Sequence, residues 1–521
     1  MRRVLWLTLL GLLFVGCDNG DSIEIPDIGA ARDVASVADV GAAVDAGAVE
    51  DTVTTTDSVA STDAAADSIA DTGPQGIPWD ELTAQGPTIR EMIGVSTHMY
   101  QGMEENAHRD FEFERYVELG GVRIREDYHW HHVEPQDDQW NFDRVRGQVN
   151  AAQAAGTPIT AMLGYGVDWA QPEGTDDEID PAEWGEFVGA LATEYCDEVD
   201  SWEVWNEQNI GRFWQPVPNS TTYTGLLKAS AESIRAACPG AKIVIGGLAS
   251  YSELDMFNYY VFLERMWEAD PNVCDYFDVL AIHPYTWTQL PPPENDALWA
   301  PGLIAKGQTL QTEQARERLM TIGCPDRPIW YTEAGWPSYD LTEEQQGLYL
   351  ARSVMLAARD GVEAYFWYTF WDSYPKTEGV RPHEAYFGLF GWRGDDGSNR
   401  RVKSSWLAYK GLVDRLGSSR LARDLSPELG LPNDVYVLAF LDEQGVINLA
   451  AWDGRDDPDV TAEGTQPGGP DTTHDLTLPL PDGVSSIFRY DISGNEVEAP
   501  ASTTELHLAL TPSMQYVKIT R

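Results

Sequence analysis

Between residues 92 and 368 the chain alternates short apolar runs with stretches of helical periodicity, and it does so eight times. The runs are Met92 to His98, Gly121 to Arg125, Pro158 to Gly164, Val199 to Trp205, Lys242 to Gly246, Phe277 to Ile282, Pro328 to Thr332 and Val362 to Tyr368. Each is long enough for one buried strand and too short for a helix. The helices between them carry their own signals. Thr342-Glu-Glu-Gln345 has capping-box spacing, Leu348, Ala351, Met355 and Ala358 recur on one helical face, and Asp360-Gly361 supplies a stop. Tyr223 to Ala237 is a similar helix, closed by Pro239-Gly240. Eight β/α units imply an α/β fold, a (β/α)8 TIM barrel. A doubly wound sheet would need a glycine-rich phosphate turn, and the chain has no GxGxxG or Walker pattern.

The flanks differ from this core. After about residue 417 come short strands split by Gly, Pro and Asp turns, among them Asp434 to Phe440, Val446 to Trp452, Glu505 to Leu510 and Gln515 to Ile519. They predict a small antiparallel β-sandwich, with Asp457 to Thr472 as a loop. At the other end, Arg2-Arg3, the apolar Val4 to Val15 and Gly16-Cys17 have a signal-peptide layout. Phe-Val-Gly-Cys resembles the bacterial lipoprotein box, which implies lipidation of Cys17 and a membrane anchor through it. Phe14 departs from the usual Leu, so simple secretion is the other reading, and Asp18 leaves inner against outer membrane open. Residues 18–76 contain no aromatic residue, and Asp recurs at 33, 39, 45, 51, 57 and 63. Such a segment has too little apolar surface to offset its ordering entropy and reads as a disordered acidic tether. The expected domains are 1–17 signal peptide, 18–77 tether, 78–416 catalytic barrel and 417–521 accessory sandwich.

Net charge is −49, and from residue 76 on 71 acids still face 32 bases. A nucleic-acid partner is therefore excluded, and a neutral or cationic ligand is favoured. Cys196, Cys238, Cys274 and Cys324 allow three disulfide pairings, and buried free thiols are an equal alternative. None forms a CxxC or stands at ligand spacing to a histidine, so no metal and no cofactor is expected.

Polar residues gather at the C-terminal ends of the strands, the side on which barrels build active sites. Strand one ends in His98, strand two carries Arg123 and Arg125 and runs on to Trp130, and strand four ends in Asn206-Glu207. Strand six gives His283 and Tyr285, strand seven Glu333, and strand eight Trp367 with Trp371-Asp372. Taken singly, each has an ordinary role as a helix cap, a structural histidine or packing. Together they form the set that hydrolysis of a glycosidic bond requires. One carboxylic acid holds a proton for the leaving oxygen, the other attacks the anomeric carbon, and a separation of about 5–5.5 Å permits attack with net retention. An arginine beside the attacking carboxylate favours its ionised form, and aromatic faces stack on sugars.

These motifs resemble glycoside hydrolases of clan A, the 4/7 superfamily, and within it family 39 and family 5-like proteins, over roughly residues 88–521. Trp205-Asn-Glu-Gln-Asn209 resembles the strand-four motif, which implies that Glu207 is the acid/base and that Asn206 binds the sugar 2-hydroxyl. Trp330-Tyr-Thr-Glu-Ala-Gly-Trp336 resembles the strand-seven motif, which implies that Glu333 is the nucleophile. By the same likeness Arg125, ahead of Trp130 and Glu134-Pro135, supports the nucleophile, one of the strand-six pair His283 and Tyr285 contacts it, and Trp367 floors the sugar site. His98 and Trp130 join the expected substrate-binding set. Trp371 stands where some relatives have a basic residue, and the C-terminal strands look like the family's accessory sandwich. The resemblance implies a retaining enzyme acting on β-linked oligo- or polysaccharides; separately, a monomer is expected, with the oligomeric state open. Loops Tyr251 to Met266 and Trp287 to Lys306 would choose the sugar and decide endo against exo action. A cell-surface lipoprotein that binds glycans without cleaving them is the alternative, and the presence of both carboxylates with Arg125 and His283 argues against it.

Overall fold

The computed structural model describes residues 77–97, 106–171, 175–250, 259–286, 292–294, 298–300, 303–304, 307–339, 341–372, 385–391, 401–454, 473–498 and 502–521. Cys17, the tether, His98, the 457–472 loop and most of the two loops expected to choose the substrate lie outside them. Eight parallel strands close into a barrel in simple sequence order. They are β1 (Ile93–Ser96), β2 (Arg123–His129), β3 (Ile159–Gly164), β4 (Ser201–Asn206), β5 (Lys242–Ala249), β6 (Leu280–His283), β7 (Ile329–Ala334) and β8 (Ala364–Tyr368). A helix of at least eleven residues follows each strand: α1 (Asn106–Glu118), α2 (Asp143–Ala155), α3 (Pro181–Tyr195), α4 (Ser220–Ala237), α5 (Tyr259–Ala269), α6 (Gln308–Thr321), α7 (Glu343–Arg359) and α8 (Ser404–Leu416).

Two elements differ instructively from the expectation. β2 continues four residues past Arg125 because its charged residues are satisfied inside the fold. Glu126 is fully buried and accepts hydrogen bonds from Gln148 Nε2 (3.0 Å) and from Thr97 Oγ1. α7 starts at the expected capping box, with Thr342 and Gln345 bonding reciprocally (3.1 and 3.0 Å). Its apolar face is wider than expected: Leu350, Val354 and Ala357 are fully buried, while Leu348 and Ala358 are half-buried. The helix is covered on several sides, by the barrel, by α8 and by the first strand of the C-terminal sheet.

That sheet has seven antiparallel strands in the order Gln85–Thr88, β9 (Arg420–Asp424), β10 (Val435–Leu441), β11 (Ile447–Asp453), β16 (Gln515–Thr520), β13 (Ser486–Tyr490) and β14 (Glu496–Val497). A two-stranded sheet, β12 (His474–Pro479) with β15 (Glu505–Leu510), covers one face. In β15 the alternation is complete: Leu506, Leu508 and Leu510 are buried, and Glu505, His507 and Ala509 face water. Along β10, Val435, Val437 and Ala439 join this sandwich core, whereas Leu438 and Phe440 join the barrel core. Period-two geometry thus lets one strand serve two cores. The strand Gln85–Thr88 precedes the barrel in sequence yet pairs with β9, so chain from both ends of the barrel contributes to the sandwich sheet.

Two disulfides join Cys196 to Cys238 and Cys274 to Cys324. All four cysteines lie in helix-to-strand connections, away from the strand ends that carry the polar residues. A buried cluster ties barrel to sandwich: Glu294 accepts from Arg352 Nε (2.8 Å) and Nη2 (2.6 Å) on α7 and from Trp452 Nε1 (2.9 Å) on β11. Arg352 and Glu294 are 0% and 2% exposed, so removing one charge strands the other in a dry interior. Glu294→Ala is expected to cost about 3–5 kcal/mol of unfolding free energy in a urea titration.

Candidate active site

The site is built on departures from regular strand geometry. At the end of β4, Trp205 (φ 75°) and Glu207 (φ 46°) adopt left-handed backbone, a conformation that costs about 1–3 kcal/mol per residue and persists only where surroundings impose it. The β4–β5 ladder is interrupted between Val204↔Ile245 and Asn206↔Gly247. The phenol of Tyr223, on α4, fills the gap: it donates to Val204 O (2.8 Å) and accepts from Gly246 N (2.9 Å). Side chains after the strand act as further backbone substitutes. Gln208 Nε2 donates to Gly246 O, and Asn209 pairs with both the N–H and the C=O of Ala249, each at 2.9 Å. Glu207 N donates to Gly247 O (2.9 Å), which anchors the carboxylate's base.

On β7 the register with β8 advances from Tyr331↔Tyr365 to Ala334↔Trp367, three residues against two. This bulge lets Thr332 and Glu333, neighbours in sequence, both reach the same group of side chains. Gly247 on β5 makes the remaining room. A Cβ there would lie 2.0 Å from His283 Nε2 and 2.6 Å from Thr332 Oγ1.

At the centre is Glu203, a fully buried carboxylate that the sequence reading passed over. Its Oε2 accepts from Arg125 Nε (2.5 Å). Its Oε1 accepts from Arg125 Nη2 (3.2 Å), Gly247 N (2.9 Å) and Thr332 Oγ1 (2.9 Å). Arg125, held in this way, directs Nη1 at Glu333 Oε1 (2.8 Å) and Nη2 at Asn206 Oδ1 (2.9 Å). Tyr285 OH donates to Glu333 Oε2 (3.0 Å). His283 joins the two halves, with Nδ1 2.9 Å from Glu207 Oε1 and 3.8 Å from Glu333 Oε2. Its Nε2 lies 3.1 Å from Thr332 Oγ1. The Thr332 proton is committed to Glu203, so Thr332 Oγ1 accepts and His283 Nε2 carries a hydrogen. The remaining ring nitrogen faces Glu207 across one proton.

The charges are consistent with this arrangement. Burial opposes the charge of Arg125, yet Glu203 and Glu333 outweigh it and raise its pKa further. Burial likewise opposes charge on His283, but the charge of Glu333 and the hydrogen bond and charge of Glu207 prevail, and its pKa rises above 6.5. Burial, reinforced by Glu333, pushes the Tyr285 phenol well above 10, so it remains a donor. Glu207, His283 and Glu333 each offer one ligand atom within 4.8 Å of the others. The three could in principle hold a cation, but a guanidinium 2.8 Å from Glu333 opposes one. The same limit places a carboxylate oxygen of Glu207 within 4.8 Å of one of Glu333.

Of the nine expected catalytic and substrate-binding residues, eight lie among the described residues. Arg125, Asn206, Glu207, His283, Tyr285 and Glu333 are brought together; Trp367 is not. Its ring is fully buried, stacks on Trp336 (6.2 Å, 26°) and donates Nε1 to Phe387 O (3.1 Å), so it presents no face to a ligand. Tyr368, the next residue, is the half-exposed ring at this strand end. Trp130 also differs from the expectation: it is enclosed by Trp169, Trp184 and Phe187 and bonds Glu134 (2.8 Å), which makes it part of the packing outside the barrel. Trp371 packs among Phe111, Phe370 and Phe390.

No protein-family model matches the chain, and no curated protein does either. Solved structures do. A family 39 glycoside hydrolase from the gut symbiont Bacteroides cellulosilyticus WH2 superposes with a TM-score of 0.63 at 22% identity, covering 84% of this chain and 83% of that one. A monomeric beta-xylosidase from Caulobacter crescentus CB15 gives 0.60 at 16% identity, over 84% and 97%. A GH30 endoxylanase from Clostridium papyrosolvens C71 gives 0.54 at 14% identity, over 84% and 98%. The chain therefore shares its barrel-plus-sandwich fold with clan A glycoside hydrolases of families 39 and 30.

Two outcomes follow from the geometry. Raising the folded-state pKa of His283 means that its contribution to stability is complete below about pH 6.5 and fades as pH rises through the folded value. The stability lost in His283→Gln, measured by denaturant unfolding, should accordingly be larger at about pH 5.5 than at about pH 8.5. Glu203→Gln keeps the shape but loosens both Arg125 and Thr332. Because a misplacement of about 1 Å can cost roughly 100-fold, kcat should fall by about that factor with little change in KM, once a substrate is in hand.

Proposed function

We propose that the protein is a retaining glycoside hydrolase that cleaves β-glycosidic bonds by double displacement. The observation that carries the reading is that a carboxylate oxygen of Glu207 lies within 4.8 Å of one of Glu333, which fits the separation of about 5–5.5 Å between carboxyl groups that direct attack uses. In the first step Glu333 Oε2 attacks the anomeric carbon as the C–O bond to the leaving group breaks, and Glu207 gives its proton to the departing oxygen. In the second step Glu207, now a carboxylate, takes a proton from water, whose oxygen displaces Glu333 and restores the original configuration. Arg125 fixes Glu333 through Oε1. Tyr285 holds the other oxygen and yields it as the covalent bond forms. His283 supplies the proton shared with Glu207. Asn206 must turn its Oδ1 to the guanidinium, which leaves its amide N–H2 as the donor end for a sugar hydroxyl.

The substrate is a β-linked oligo- or polysaccharide, and β-xylosides are the first class to assay, because two of the similar structures are named as a beta-xylosidase and an endoxylanase. Half-exposed Tyr368 takes the aromatic role expected of Trp367. The cell-surface reading belongs to the same proposal: a lipid on Cys17 and the acidic tether hold a monomeric catalytic unit off the membrane. The two disulfides support an oxidising location. A glycan-binding role without hydrolysis has no observation in its favour.

The test is chemical rescue. Glu333→Gly should lose hydrolysis of an aryl β-xyloside by at least about 1,000-fold, and azide should restore turnover with a glycosyl azide of inverted configuration as product. Glu207→Ala should retain activity on good leaving groups far better than on poor ones. Full activity in either variant would remove the assignment.

A further inference from the structure

β2 ends in His129, and the one-turn helix Trp130–Val133 that follows carries His131 and His132. His129 has extended backbone and begins that helix, so the chain turns back at once and gathers the three side chains. One ring nitrogen from each lies within 4.8 Å of the other two. The rings of His129 and His132 are parallel to within 4°, and those of His131 and His132 approach to 3.9 Å. His129 is buried, His132 half-buried and His131 exposed, so the group is anchored at one end and open to solvent at the other. Three of the chain's nine histidines are concentrated here, and none of them belongs to the hydrolytic constellation.

We propose that His129, His131 and His132 bind one divalent transition cation of the Zn²⁺ or Ni²⁺ class on the β2 side of the barrel mouth. Neutral imidazole is the side chain best suited to these ions, and three imidazoles leave a coordination position for water. Metal–nitrogen bonds of about 2.0–2.1 Å set donors about 3.4 Å apart in a tetrahedral site. The rings must therefore close by an ångström or so, a movement that side-chain rotation at exposed His131 and half-buried His132 supplies. Asp127 Oδ2 stands 3.8 Å from His129 Nε2, beyond hydrogen-bond distance, and places a negative charge beside the group. Arg144 acts electrostatically on His132 and opposes a cation there. The proposal is independent of the hydrolytic reading. It revises the expectation that no metal binds, which rested on cysteine spacing.

The experiment is calorimetric titration of the full chain, stripped with EDTA, against Zn²⁺ alone. One equivalent should bind saturably, and His131→Ala/His132→Ala should weaken it by about tenfold or more. Glu333→Gln and Glu134→Gln should leave it unchanged, which separates this group from the Glu207–His283–Glu333 and Glu134–Asp137–Asp138 groups. Co²⁺ should give a visible absorption band that the double variant lacks. Unaltered circular dichroism and metal-free glycosidase activity in the double variant would show that its fold is intact. The proposal is overturned if Zn²⁺ shows no saturable binding, if the histidine variant binds as the parent does, or if the site disappears with Glu333→Gln or Glu134→Gln.

Discussion

A single buried carboxylate, Glu203, orients both halves of the site. Through Arg125 it governs Glu333, and through Thr332 and His283 it governs Glu207. A charge this deep would be untenable without its four donors, because an unpaired carboxylate in a low-dielectric interior costs several kcal/mol. Here the donors come from β2, β5 and β7, so the pairing also locks the strands that carry them. The same interaction that satisfies the interior thus positions the reacting groups, and stability and function share one set of hydrogen bonds.

The geometry around it is made from local violations of sheet regularity. Left-handed backbone at Trp205 and Glu207, the Tyr223 phenol inserted in the β4–β5 ladder and the β7 bulge each sacrifice a regular contact. In return, residues adjacent in sequence reach one group of side chains together, which a regular pleat forbids. Gly246 and Gly247 are required for a related reason: a Cβ on Gly246 would lie 2.5 Å from Val204 O, and one on Gly247 would displace His283.

Much of this was legible beforehand. Strand count, barrel closure and the two glutamate-bearing strand ends follow from periodicity and polarity, and those signals are local. Glu203 was not legible, because a charged residue inside an apolar strand announces burial only once its partners are known, and those lie 78 and 129 residues away. The same blindness shortened β2 at Arg125, whereas Glu126 and Asp127 continue it. Trp367 and Trp130 were expected at the sugar by resemblance to strand-eight and strand-two motifs; which side of a strand or helix a matched residue faces is a tertiary fact. Cysteine pairing likewise depended on which helix-to-strand connections lie side by side.

Double displacement requires Glu333 to form a bond to the sugar. Incubation with a 2-deoxy-2-fluoro-β-glycosyl fluoride, followed by peptide mass mapping, tests this directly. Double displacement predicts one fluorosugar per chain, attached at Glu333. A label on any other side chain, or turnover of a matched substrate with no trapped adduct and an inverted product, would contradict it.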